Sequence, residues 1–203
     1  MKFRRSLVVS CALVMLFTLR SHAQVAAAAS FHGIGERMTY AFQGTASGTF
    51  QPDSGAATTF TNESFTITAI AEAGAVVTST QRCAVSSGVC KLFSVPVASA
   101  NISVAGLTAT ITSPMAIFDN QTFPALGLHR QTGADLLDLQ GNNAFAIYDL
   151  NGNLALQDPF FRKPTAVAQF DCAHGCVMTT LGSLTVASVQ NVRFTATQTE
   201  PGQ

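Results

Sequence analysis

The sequence has no tryptophan and only two tyrosines, Tyr40 and Tyr148. Saccharide rings stack on broad, exposed aromatic faces, so this scarcity argues against a sugar-stacking platform. The fifteen phenylalanines recur mostly at inward positions of alternating segments and read as core. Charge is also scarce. Of eleven basic residues, four (Lys2, Arg4, Arg5 and Arg20) fall in residues 1–23, which hold no acid. The remaining seven face eleven acidic residues, a net charge near minus four. No cluster of Lys and Arg is left to neutralise phosphates, which excludes a nucleic-acid partner. The nucleophile elbow GxSxG, the metalloprotease motif HExxH and the phosphate-binding Walker loop are all missing. His32, His129 and His174 have no motif partners, and helical periodicity is almost absent.

The one long apolar run lies at the start. Residues 1–23 combine a basic opening, an apolar run over residues 6–19 and the small-x-small site Ser21-His22-Ala23, the three parts of a secretory signal. The run is shorter than the roughly 20 residues a bilayer requires. Arg4-Arg5 leaves twin-arginine export open beside the general route, although Phe3 stands where Ser or Thr is usual. Cleavage after Ala23 leaves a flexible lead-in over residues 24–36, a single domain over residues 37–198 and a short tail over residues 199–203. No later segment could span a membrane as an apolar helix. A secreted product, periplasmic or extracellular, is expected.

Beyond the signal four cysteines remain, Cys83, Cys90, Cys172 and Cys176, in the local pairs CAVSSGVC and CAHGC. In an exported chain an even, paired set reads as disulfides. Of three connectivities, Cys83–Cys90 with Cys172–Cys176 is favoured. Loops so short contribute little chain entropy and serve mainly to pin loop shape. Cys172, His174 and Cys176 do not read as zinc ligands, because a fourth ligand and the two-residue knuckle spacing are both wanting.

What is present is strand vocabulary. From Arg37, Met38, Tyr40 and Phe42 alternate with Thr39, Ala41 and Gln43. Residues 59–70 form the cleanest long strand, with Phe65, Ile67 and Ala69 on one face. Residues 75–80 should pair back on it. Pro96 demotes residues 91–97 to an edge or broken strand. Gly106 in NISVAGLTATIT marks a bulge or tight bend. Residues 115–119 make a further strand. Leu136, Leu137 and Leu139 suit either a strand or one helical turn. Residues 182–187 and 189–197 close the domain, with Val192, Phe194 and Ala196 inward.

The most explicit local signal is AFAIYDLNGNLALQD, residues 144–158. Asn151-Gly152 suits a type I′ turn. On that reading Leu150 faces Asn153, Tyr148 faces Ala155 and Ile147 faces Leu156, with Phe145, Ile147, Leu154 and Leu156 sharing a face. Many short strands without helices predict an all-β fold, an antiparallel β-sandwich of jelly-roll or Ig-like topology, with a β-barrel as the alternative.

Candidate chemistry is thin. DLNGN places Asp149, Asn151 and Asn153 at the spacing that opens a calcium loop. Leu154 then replaces its glycine and Phe160 its bidentate glutamate, and a hairpin turn accounts for the same residues. Asp135 and Asp138 are the candidate carboxylate pair for glycoside hydrolysis, which needs carboxyls roughly 5 to 10 Å apart across a cleft. Polar residues on short strands explain them more simply. Asn62, Asn101 and Asn120 begin Asn-x-Ser/Thr triplets, which matter only in a glycosylating host. No catalytic, cofactor or metal-binding residue is assigned.

Several phrases resemble secreted bacterial proteins of the kind that often carry a PEP-CTERM sorting tail. They are FQGTASGTF (residues 42–50), FTNESFTITA (60–69), ISVAGLTATITSP (102–114), DLLDL (135–139), FAIYDL (145–150) and LGSLTVASVQNVRFTAT (181–197). The resemblance implies export, a β-rich ectodomain and association with an envelope or extracellular polymer, and it brings no catalytic residues. TEPGQ (199–203) looks like the start of such a tail without its apolar segment and terminal arginines. The expectation is a secreted, non-enzymatic structural or adhesive protein whose partner is an extracellular polymer or protein. The alternatives are a ligand- or glycan-binding module with the two cysteine loops as its binding edge, and a two-carboxylate hydrolase.

Overall fold

The alternation that opens at Arg37 becomes strand β1 (Arg37–Pro52) in a computed structural model that describes residues 36–82, 88–131, 135–140, 143–156 and 177–199. It carries Met38, Tyr40 and Phe42 to positions with no solvent exposure. The expected long strand is β2 (Thr58–Glu72), with Phe65, Ile67 and Ala69 buried. There follow β3 (Val77–Arg82), β4 (Val89–Val104), β5 (Leu107–Ile111), β6 (Met115–Asn120), β7 (Ala125–Arg130) and β8 (Asp135–Gln140). Next come β9 (Leu154–Leu156), β10 (Val177–Thr179) and β11 (Gly182–Thr199). The two closing segments are thus one strand of 18 residues, and Leu136, Leu137 and Leu139 belong to a strand. Short 3-10 turns occupy Ala73–Ala75 and Asn143–Ala146.

The fold is all-β and antiparallel, as the composition predicts. Pairings run β1–β2, β2–β4, β4–β5, β5–β10, β10–β11 and β11–β1, so six strands close a ring. A second layer branches from it through β4, in the order β3–β4–β6–β7–β8. This arrangement is compatible with a sandwich or a barrel. β4 therefore belongs to both layers, and Pro96 sits where it passes between them. The expected edge or broken strand is corrected: β4 runs unbroken through the proline. Pro96 faces Ala116 on one side, while the pairings on its other side stop at Ser94 and resume at Val97. Its missing N–H removes no ladder bond.

Two turn expectations are also corrected. β3 does not fold back on β2 but joins β4, with Val77 opposite Ser94. Ala105 and Gly106 both take positive φ, 51° and 77°, and Val104 faces Leu107. That two-residue connection with left-handed centres is the type I′ signature, and it lies here instead of at Asn151-Gly152. Residues 144–158 form no hairpin within the described residues. Their first part is the 3-10 turn, and Leu154–Leu156 pairs with β11, Leu156 opposite Phe194. Phe145 and Leu150 are fully buried while Ile147 is 65% exposed, which separates the expected Phe145–Ile147 face. Positive φ falls on Leu150 and Gly152, not on Asn151. A lone hairpin is weak in water; filling the core with Phe145 and Leu150 and adding a strand to β11 outweighs it.

Aromatic side chains centre the ring. Phe42 and Phe194 lie 5.1 Å apart between centroids, and Tyr40 and Tyr148 each stand 6.3 Å from Phe194. In the second layer Phe118 lies over Gly127, where an added Cβ would sit 1.9 Å from the Leu137 carbonyl oxygen. Only glycine fits there. Glu36 is anchored, its carbonyl accepting from Ala73 N at 2.9 Å and its carboxylate from Gln198 Nε2 at 2.9 Å. Glu36, the last residue of the expected lead-in, is thus held to the sheet and Thr199, the first of the expected tail, pairs with Arg37, whereas residues 24–35 lie outside the described residues.

Candidate functional site

Alternation along β6 sends Met115, Ile117 and Asp119 to the same inward face. Across the sheet the row reads Phe93, Asp119, Leu126, Leu139, so the acid has apolar side chains on both flanks. Asp119 has no solvent exposure and neither carboxylate oxygen has a hydrogen-bond partner. Burial, and then the charge of Asp149, pushes its pKa up to about 9. A carboxyl denied water and partners keeps its proton at neutral pH.

The chain leaving β6 turns at once. Asn120 Oδ1 accepts from Thr122 N at 2.9 Å, an Asx turn, and Thr122 is left 3% exposed with an unpartnered hydroxyl. Gln121 ties this turn to a second one, donating from Nε2 to the Tyr148 carbonyl at 3.2 Å. There Tyr148 OH donates to Gly152 O at 2.9 Å and Asp149 Oδ1 accepts from Asn151 N at 3.0 Å. Tyr40, reaching over from β1, donates to the Leu150 carbonyl at 2.7 Å. Asn151 Oδ1 is buried without a partner. Both tyrosine pKa values are raised, first by burial. Asp149 raises that of Tyr40 further, and Tyr40, Asp149 and Asp119 that of Tyr148. The phenols thus stay protonated as donors. Both tyrosines of the chain, buried Asp119 and half-buried Asp149 thus belong to one pair of linked turns.

The sequence candidates fare differently. Asp138 sits on β8 opposite Gly127, and its Oδ2 accepts from Gln140 Nε2. Asp135 pairs with His129 along the backbone, and its side chain lies outside the described residues. The acid that meets Asp149 is Asp119, which no sequence motif singled out. Its one legible mark is an acidic residue at an inward position of an apolar alternation. Asn153, third in the calcium-like spacing, instead accepts from Gln198 N at 2.7 Å and holds the start of β9 against β11. His129 packs edge-on to Phe118 at 5.4 Å. Cys90 is half-buried on β4 opposite Gln81, whereas Cys83, Cys172, Cys176, His32 and His174 lie outside the described residues. Asn62 and Asn101 are exposed, and Asn120 is half-buried in its turn. Among the described residues no three His, Cys, Asp or Glu side chains form a metal-binding group, and no helix is long and apolar enough to cross a membrane.

The outer face of the ring is the second feature. One row across five strands reads Thr195, Ala41, Thr68, Asn101, Thr110, and the next Arg193, Gln43, Thr66, Ser103, Thr108. None of the ten is buried and only Arg193 is charged. Ser103 and Thr108 hydroxyls meet at 2.8 Å, and Thr110 Oγ1 donates to Asn101 Oδ1 at 2.9 Å. Comparison with family models, with curated proteins and with solved structures finds no match.

Proposed function

We propose that the chain is an exported, non-enzymatic protein with a structural or adhesive role outside the cytoplasm. The observation that carries this reading is the outer face of the ring, where hydroxyl and amide groups cover five strands with a single charge among ten positions. Such a face offers donors and acceptors to a hydroxyl-rich polymer without the desolvation cost of charged groups. The signal-like start and the resemblance to secreted bacterial proteins support export. The paired cysteines suit an oxidising compartment, as disulfides Cys83–Cys90 and Cys172–Cys176. Cosedimentation of the purified chain with insoluble cellulose or chitin tests the reading. Retention should fall at least tenfold in the double variant Thr68→Glu, Thr110→Glu, which places charge on the face. Equal retention of variant and parent refutes the assignment to this face. Turnover of a substrate that is lost in Asp135→Asn or Asp138→Asn refutes the non-enzymatic reading.

A further inference from the structure

The inward carboxyl of Asp119 is fully enclosed yet bonded to nothing. In the two turns that Gln121 links, every other orphaned atom is also an oxygen. Asp119 contributes two, Thr122 its hydroxyl and Asn151 its amide carbonyl, all buried and unpartnered. Asp149, near enough for its charge to act on Asp119, commits only one oxygen to Asn151 N. The donors of the cluster point elsewhere: Tyr40 to Leu150 O, Tyr148 to Gly152 O and Gln121 to Tyr148 O. A group of acceptors with its donors turned away is suited to a hard cation, and uncharged oxygens beside carboxylates are what calcium takes.

We propose that Asp119, Thr122, Asp149 and Asn151 form a binding site for a divalent hard cation of the calcium type. Binding releases the proton that Asp119 otherwise holds, and the two carboxylates then balance the charge of one divalent ion. The site has no sulfur or imidazole, which points to an oxygen-seeking metal. It differs from a linear calcium loop, since Asn153 is engaged with Gln198 and the decisive acid comes from β6, thirty residues upstream. With no Asn151-Gly152 hairpin formed, the simpler explanation of DLNGN is gone. Asn151 and Gly152 are both half-buried. The inference is independent of the structural or adhesive reading.

The two tyrosines supply the assay, because they are the only ones in the chain and both flank the site. Terbium, a calcium stand-in, is added to chelator-stripped protein while tyrosine is excited. Saturable one-to-one sensitised emission that calcium displaces is expected. Asp119→Asn and Asp149→Asn should each weaken the apparent affinity at least tenfold, and Asp138→Asn should leave it unchanged. Calcium at about 100 times its dissociation constant should also raise the parent's thermal midpoint by several degrees. Absence of saturable emission with no calcium-induced thermal shift overturns the proposal. Emission that survives both Asp119→Asn and Asp149→Asn unchanged does so too. Asp119→Asn removes a buried ionisable group without changing side-chain shape, and Asp149→Asn provides the second reading should that variant misfold.

Discussion

Replacing Asp119 with asparagine, in the presence of a chelator, should abolish a pH dependence of stability that the buried carboxyl imposes. In the folded chain its pKa is about 9, against roughly 3.9 when unfolded. Below the lower value both states hold the proton and the group contributes no pH dependence. Between the two values the unfolded chain releases the proton while the folded one retains it. The folded state then binds one proton more, so stability falls by about 1.4 kcal/mol for each pH unit gained, and levels off above the folded pKa. From about pH 5 to about pH 8 the loss is on the order of 4 kcal/mol, a large share of the 5–15 kcal/mol typical of a domain. Asparagine keeps the shape and cannot ionise. Urea unfolding of parent and variant at several pH values in that window isolates the effect, because all other titrating groups are shared. The difference between the two curves should widen with pH, in favour of the variant. Parallel curves refute the claim that Asp119 is folded around its proton.

Two further substitutions probe the packing. Gly127→Ala places a Cβ against the Leu137 carbonyl and the Phe118 ring, and forcing the two strands apart should cost about 1–3 kcal/mol, read as a lower thermal midpoint. Ile147→Ser should leave the unfolding midpoint within about 0.5 kcal/mol of the parent, since the side chain is 65% exposed; a loss comparable to a core deletion would restore it to an inward face.

Local periodicity made the strands legible. Met38, Tyr40 and Phe42, then Phe65, Ile67 and Ala69, then Val192, Phe194 and Ala196 all lie inward as their alternation requires, because a pleat of period two couples sequence parity to a face. From the same cause come the all-β class and the hydroxyl-rich outer rows. Parity does not say which strand lies beside which. That β3 joins β4, that β4 crosses between layers at Pro96 and that Leu154–Leu156 adds to β11 depend on pairings between residues far apart in the chain. The Asn151-Gly152 turn shows the limit most plainly. Its local preference is worth less than burying Phe145 and Leu150 and donating Tyr40 OH to the Leu150 carbonyl. The candidate site was illegible for the same reason. Asp119 and Asp149 are thirty residues apart, neither lies in a complete motif, and what relates them is the Gln121–Tyr148 bond between their two turns, which only the folded chain possesses.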